Sequence, residues 1–296
     1  MPWKHCRRSS TERRAAGKNE CVPPSDNIRR RFRKGRPGIL MYSSGDIATT
    51  LVVPCYNEAG RLDTGAFAEF ADSHPAIRFC FVNDGSTDGT RDVLERLASR
   101  LASRASVVTF DHNAGKAEAV RQGVLEALEQ RGDLLGYWDA DLATPLRELP
   151  RFVDILNNRP TVKMVMGARI MRLGARIKRH WWRHYPGRLY ATLVSAWLLN
   201  LPAYDTQCGA KLLSRDCARL LFARPFVSKW LFDVEILLRL RTLYPRDLEQ
   251  RVFELPLQEW RDIPGSKVSL SYCATVPLEL ARMRQHYGRD SGAVRD

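Results

Sequence analysis

The chain has no run of the ~18 or more apolar residues that a spanning helix needs. Its longest apolar stretch, Leu189 to Leu201, is broken by Thr192, Ser195 and Asn200. No membrane-crossing segment is therefore expected. The N-terminus is basic but carries no apolar block of the kind found in secretory signals. Cysteine pairing is missing too. Cys6, Cys21, Cys55, Cys80, Cys208, Cys217 and Cys273 are odd in number and form no C-x-x-C pair. That argues for free thiols in a reducing compartment and against a zinc site. Acidic residues are absent from residues 155–204, which hold nine Lys/Arg. No internal repeat is evident.

The positive charge is unevenly placed. The whole chain carries +14. Residues 1–40 contribute +9, from twelve Lys/Arg against three Asp/Glu, and residues 155–204 contribute another +9, so the rest sums to −4. A mildly acidic body with a basic tail and a basic internal segment implies anionic partners: a membrane surface, phosphates or nucleic acid. Residues 1–45 are rich in Arg, Ser, Pro and Gly and read as a solvated tail with little to bury. Residues 46–265 read as one α/β domain, and 266–296 as a helical extension.

From residue 47 strand and helix signals alternate. Apolar runs at Ile47–Val53, Ile77–Val82, Ser106–Phe110, Leu134–Trp138 and Val162–Met166 read as strands. Leu62–Ala71, Thr90–Arg100 and Lys116–Gln130 have helical spacing. Pro54 is read as the stop of the first strand. This order predicts an α/β fold with a mostly parallel sheet flanked by helices. Ligands of such sheets bind beyond the C-terminal ends of the strands. Asn57, Glu58, Asp84, Asp139 and Asp141 all fall there. Asp139 and Asp141 form an Asp-x-Asp after a buried strand. Hard cations such as Mg²⁺ or Mn²⁺ take oxygen ligands and keep phosphate oxygens, so this pair suits a metal held against a diphosphate.

Four motifs in order carry a resemblance: Val53-Pro54-Cys55-Tyr56-Asn57-Glu58, Val82-Asn83-Asp84-Gly85-Ser86-Thr87-Asp88, Asn113-x-Gly115-Lys116 and Asp139-Ala140-Asp141. They resemble the signature of inverting family 2 glycosyltransferases of the GT-A fold, which is Rossmann-like. Two more, Asp205-Thr206-Gln207-Cys208-Gly209-Ala210-Lys211 and Trp230-Leu231-Phe232-Asp233-Val234-Glu235, resemble the branch that makes dolichyl- or polyprenyl-phosphate glucose. The similarity covers roughly residues 47–260.

The resemblance implies an enzyme that moves a hexose, with UDP-glucose the favoured donor, to a polyprenyl or dolichyl phosphate. GDP-mannose as donor and a non-catalytic sugar-nucleotide-binding or membrane-adaptor module are the alternatives. It further implies donor contacts at Pro54, Tyr56, Glu58, Val82, Asp84, Lys116, Asp139 and Ala140. Asp139 and Asp141 would bind Mg²⁺ or Mn²⁺, with Ala143 where some relatives carry a third ligand. Arg169, whose planar fork suits an oxyanion, and Lys211 are candidates for neutralising phosphate. Asp233 and Glu235, at i and i+2, face different sides of a helix. One can line the acceptor pocket or act as a base, and a buried ion pair is the competing reading for both. Cys208 has no obvious His partner and reads as packing.

Ile177-Lys178-Arg179-His180-Trp181-Trp182-Arg183-His184-Tyr185 mixes cations with Trp and Tyr, and Leu189–Leu199 adds an apolar face. Such a segment suits an anionic membrane interface. A basic lid over a diphosphate is the other reading. Nucleic acid is disfavoured, because no nucleic-acid-binding motif accompanies the charge. The expected location is cytoplasmic, peripheral on the cytoplasmic face of a membrane.

Overall fold

Near-continuous apolar runs along the first two strands set up a sheet that buries both faces. The computed structural model describes residues 47–178, 203–229, 231–263 and 270–288, with backbone alone for 178, 270–275 and 288. The expected tail 1–45, most of the basic–aromatic segment (179–188) and Trp230 lie outside the described residues.

β1 (Thr49–Cys55), β2 (Ile77–Asn83), β3 (Ala105–Thr109) and β4 (Leu134–Trp138) alternate with α1 (Thr64–Ser73), α2 (Thr90–Leu101) and α3 (Lys116–Glu129). α4 (Leu149–Asn158), β5 (Met164–Ala168) and β6 (Arg176–Lys178) follow, then β7 (Ala210–Ser214), α5 (Arg215–Phe222) and α6 (Phe232–Leu243). α7 (Leu248–Arg251), β8 (Val252–Pro256), β9 (Glu259–Arg261) and α8 (Leu270–Gly288) complete the chain.

The main sheet has seven strands in the order β3-β2-β1-β4-β7-β5-β8, and β6 pairs with β9 in a small second sheet. β7 alone runs antiparallel, to β4 on one side and β5 on the other. The mostly parallel sheet expected from the alternation is thus present, with one reversed strand inside it. β1 runs two residues past the expected stop. Pro54 still pairs in register with Val82, but the β4 ladder ends at Val52↔Tyr137. A proline therefore removes no ladder bond on the β4 side.

Strand alternation splits the core into two layers. Leu51, Val53, Phe79 and Phe81 pack with Phe67 of α1, Leu94 of α2 and Phe152 of α4. Val52, Cys80 and Val82 pack on the other face with Val120 and Val124 of α3, Leu221 of α5 and Leu237 of α6. Phe67 meets Phe79 and Phe81 edge-on, with ring centroids 5.2 and 5.3 Å apart, a favoured aromatic geometry. Cys55, Cys80, Cys208 and Cys217 are all buried, the last three as free thiols.

Candidate active site

Two loops at the C-terminal ends of β1 and β2 are tied into one surface. The Asn57 carboxamide oxygen accepts from the Thr87 amide, 2.9 Å, and the Asn57 amide donates to Ser86 Oγ, 3.0 Å. The Glu58 amide donates to Thr90 Oγ1 at 2.8 Å. Asn57 adopts φ +50, a backbone region that Asn tolerates better than most residues.

Asp84 then pins the next loop. Its carboxylate accepts from the Ala114 amide (2.7 Å), the Gly115 amide (3.0 Å) and Asn113 Nδ2 (3.0 Å). These bonds fix the turn that starts α3 and delivers Lys116. Burial pushes the Asp84 carboxyl up, against the pull of those amides and of Lys229 and His112.

Lys116 Nζ lies 2.5 Å from Asp139 Oδ1. Burial alone would lower its pKa; Asp139, Asp233 and Asp141 outweigh it, so the ammonium is held charged. Asp139 and Asp141 stand on the turn after β4, with side chains 34% and 27% exposed. They are the open part of the site. The turn is rigid. Trp138 Nε1 donates to the Thr144 carbonyl at 2.6 Å, Leu142 takes φ +52, and Asp141 Oδ1 accepts from the Ala143 amide at 3.0 Å. Burial and then the charge of Asp139 raise the Asp141 pKa. Two crowded carboxylates of this kind attract a cation.

β7 brings the opposite wall. Its register sets Lys211 opposite Tyr137, and the Asp139 amide donates to the Gly209 carbonyl at 2.9 Å. A Cβ on Gly209 would fall 1.7 Å from Asp139 Oδ2. That carboxylate can stand where it does only because position 209 has no side chain. Gly209→Ala is expected to displace Asp139 and cut turnover by on the order of 10², the cost of roughly 1 Å of misplacement at a reacting centre. Turnover beside an unchanged circular dichroism spectrum tests this; parent-like turnover would free Asp139 from any such placement.

Several expected site residues are placed differently. Lys211 is fully buried, and its ammonium donates to the carbonyls of Thr206 (3.0 Å) and Cys208 (2.8 Å) and to Asp233 Oδ1 (2.5 Å). An ammonium has three protons, so none is left for a diphosphate. Asp233 also accepts from Tyr137 Oη; burial and then Asp233 hold Tyr137 well above the usual phenol range, so it stays a donor. Glu235 is fully buried and accepts from the amides of Val227 (2.8 Å) and Ser228 (3.3 Å), from Arg239 Nη2 (2.7 Å) and from Tyr287 Oη (2.7 Å). The two carboxylates do point to different sides of α6, and both sit in buried ion pairs.

Arg169 is clamped. Nε lies 2.6 Å from Asp205 Oδ2 and Nη2 2.7 Å from Oδ1, with the guanidinium 5.3 Å from the Trp260 ring centroid. Asp205 is fixed in turn by its own amide, which donates to Glu254 Oε1 at 2.5 Å. The arginine therefore fastens the 204–209 loop to β5, with two guanidinium nitrogens committed. Val82 and Ala140 bury their side chains in the core, 0% and 5% exposed. Only their backbone can face a ligand. Cys208 is pushed up to about 11 by burial and then by Asp205, which keeps it a thiol. Pro54 and Tyr56 are half-buried, and Glu58 is buried.

Two basic residues of the site escaped sequence reasoning. Arg61 bridges Glu58 Oε2 (3.4 Å) and Asp141 Oδ2 (3.8 Å). Lys229 lies against Gly115, and its carbonyl accepts from the Ala117 amide at 3.2 Å. Arg61 follows the Asn57-Glu58 turn by three residues, an i, i+3 spacing from Glu58 that offered a signal. Lys229 offered none.

Residues 50–217 match the glycosyl transferase family 2 model. The chain belongs to glycosyl transferase family 2. It is 32% identical to a dolichyl-phosphate beta-glucosyltransferase of Drosophila melanogaster over 246 residues, 76% of this chain and 71% of that protein. A Trichomonas vaginalis protein of the same name is 29% identical over 290 residues, 94% and 82% of the two chains. The human protein of that name is 29% identical over 238 residues, 74% and 69%. The fold is that of glucosyl-3-phosphoglycerate synthase from Mycobacterium tuberculosis, with TM-score 0.59, 16% identity, and 81% of this chain and 80% of that one covered. A second structure of that enzyme, in complex with Mn²⁺, UDP-glucose and phosphoglyceric acid, gives TM-score 0.59 at 17% identity, covering 82% and 80%.

Proposed function

We propose that this glycosyltransferase moves glucose from UDP-glucose to a dolichyl or polyprenyl phosphate, inverting the anomeric carbon. The observation that carries the reading is the agreement of relatives: proteins named dolichyl-phosphate beta-glucosyltransferase match 74% to 94% of the chain. The site chemistry is compatible with it.

Asp139 and Asp141 fit a hard divalent cation, Mg²⁺ or Mn²⁺, because they are partly exposed oxygen donors one residue apart, with the Asp141 pKa raised by burial and then by the charge of Asp139. Among the described residues no group of three or more His, Cys, Asp or Glu could hold a metal, so the diphosphate would complete the coordination. A bound cation would supply charge neutralisation for the departing nucleoside diphosphate. Tyr56, Glu58 and Asp84 line the nucleoside end, and Lys116 and Arg61 bring positive charge to the diphosphate end.

An acceptor phosphate oxygen attacks the anomeric carbon as its bond to the diphosphate breaks. That oxygen is already anionic at neutral pH, so the reaction needs no strong base. This suits a site whose two α6 carboxylates are committed elsewhere. Positioning and electrostatics then carry catalysis.

Among the described residues no helix is long and apolar enough to cross a membrane. In this reading the protein meets its lipid acceptor at the cytoplasmic face of a membrane.

A donor panel with dolichyl phosphate and Mg²⁺ or Mn²⁺ tests the assignment. UDP-glucose should release nucleotide and GDP-mannose should not; the reverse pattern would make the protein a mannosyltransferase, and no release with either would favour a non-catalytic module. Calorimetric titration with UDP probes the nucleoside end. Tyr56→Ala and Asp84→Ala are each expected to weaken binding by on the order of tenfold, the worth of one stacking contact or one charge-assisted hydrogen bond. UDP affinity unchanged in both variants would move the base pocket elsewhere.

A further inference from the structure

The loop between β5 and β6 leaves the sheet at Ala168, passes the Arg169–Asp205 clamp and reverses direction over residues 172–175. The Ala175 amide donates to the Arg172 carbonyl at 3.1 Å, closing a four-residue turn. Gly174, at the third position, has φ +82, the value a type II turn requires there. The second position holds Leu173, which is 101% exposed, and Met171 beside it is 59% exposed.

Single exposed apolar residues are ordinary. This pair differs in its setting. Every charged residue from Arg169 to Lys178 is a cation, and Arg172 and Arg176 flank the apolar tip. An apolar tip with cationic shoulders suits one environment, the headgroup boundary of an anionic bilayer. Leucine and methionine lose their contact with water there, and arginine meets lipid phosphates. A second copy of the chain suits it poorly, because it would bring the same cations face to face.

Location adds to the case. The loop springs from the C-terminal end of β5, and β5 runs in the same direction as β4, whose end carries Asp139 and Asp141. Arg169, at the base of the loop, feels the charge of Asp139. A bilayer touching Leu173 therefore lies along the edge where the sugar would be transferred.

We propose that Met171 and Leu173, flanked by Arg172 and Arg176, form an insertion loop that docks the active-site edge onto an anionic lipid surface. The proposal deepens the lipid-phosphate reading and rests on it for its purpose, but vesicle binding tests it without any turnover.

The experiment uses the full chain, unaltered and in two double variants, Met171→Asp/Leu173→Asp and Arg172→Glu/Arg176→Glu. Sedimentation with phosphatidylcholine vesicles, with and without phosphatidylserine, reads the affinity. The first variant should lose about tenfold or more at every salt concentration, the scale of removing buried apolar area. The second should lose a similar factor at low salt, and the difference should shrink as salt rises. With dolichyl phosphate carried in vesicles, the acceptor KM of the first variant should rise in step. A short-chain, water-soluble prenyl phosphate should be used as well as by the parent, and UDP affinity should not change.

Parent-like vesicle affinity in both variants overturns the proposal. So does a loss of vesicle binding that tracks a change of oligomeric state in analytical ultracentrifugation, which would make the loop a self-association surface. If the unaltered protein turns over no prenyl phosphate in any form, the lipid-phosphate reading falls, and sedimentation decides the loop by itself.

Discussion

Asp141→Asn is expected to cut turnover by on the order of 10² or more, the usual loss when one transition-state stabiliser is removed. The substitution is nearly isosteric. Its remaining oxygen can still accept the Ala143 amide, now at 3.0 Å from Oδ1, so the turn after β4 should persist. What disappears is a negative charge that burial and Asp139 already make hard to carry. A carboxylate retained under that pressure is best explained by a cationic partner. Lys116 and Arg61, the latter 3.8 Å away, pull the other way and are only part of the answer. EDTA should therefore bring the parent down to about the level of the variant and leave the variant nearly unchanged, as read by nucleotide release. Near-normal activity of the parent after metal stripping would sink the metal-dependent mechanism.

Lys211→Met is expected to act on folding first. The lysine is fully buried and holds two carbonyls and the Asp233 carboxylate. Methionine fills the volume but leaves Asp233 as an uncompensated buried charge, which typically costs about 3–5 kcal/mol. At about 2–4 °C per kcal/mol for a domain of this size, the melting temperature should drop by roughly 10 °C. Lys211→Met/Asp233→Leu removes both charges and should recover much of the loss, since apolar replacements of a buried pair are often neutral. Thermal unfolding of the three proteins measures this. If Lys211→Met melts like the parent yet loses donor turnover, the lysine is a phosphate ligand after all.

The contrast between Asp141 and Lys211 shows which features were legible in the sequence. Both residues sat in recognisable motifs. The motif of Asp141 lies directly after a strand, and local sequence fixes a strand's end, so its place on the sheet rim could be read. The motif of Lys211 belongs to a strand inserted backwards between β4 and β5. Whether its side chain faces the diphosphate or the core depends on a register, Tyr137↔Lys211, set by residues more than seventy positions apart. Asp233 and Glu235 show the same limit. Their opposite orientations follow from helical geometry, and Arg239 stands at i+4 from Glu235 on the same helix, but the partner of Asp233, Lys211 on β7, is chosen by packing. Arg169 reads as an anion-binding fork because its chemistry permits it. Asp205, thirty-six residues later, occupies that fork.

The sequence by itself determined the alternation of strands and helices, the family, the Asp139–Asp141 pair and the loops bearing Glu58, Asp84 and Lys116. These rest on local periodicity and on short motifs whose residues act within a few positions of one another. Tertiary structure alone decided that β7 runs antiparallel, that Gly209 makes room for Asp139, that Arg61 and Lys229 join the site, and that Leu173 stands exposed on the same edge. The physical reason is one of distance. Hydrogen bonds within a turn or a helix link neighbours in the chain. Burial, ion pairing and steric room link residues that meet only after the sheet has assembled.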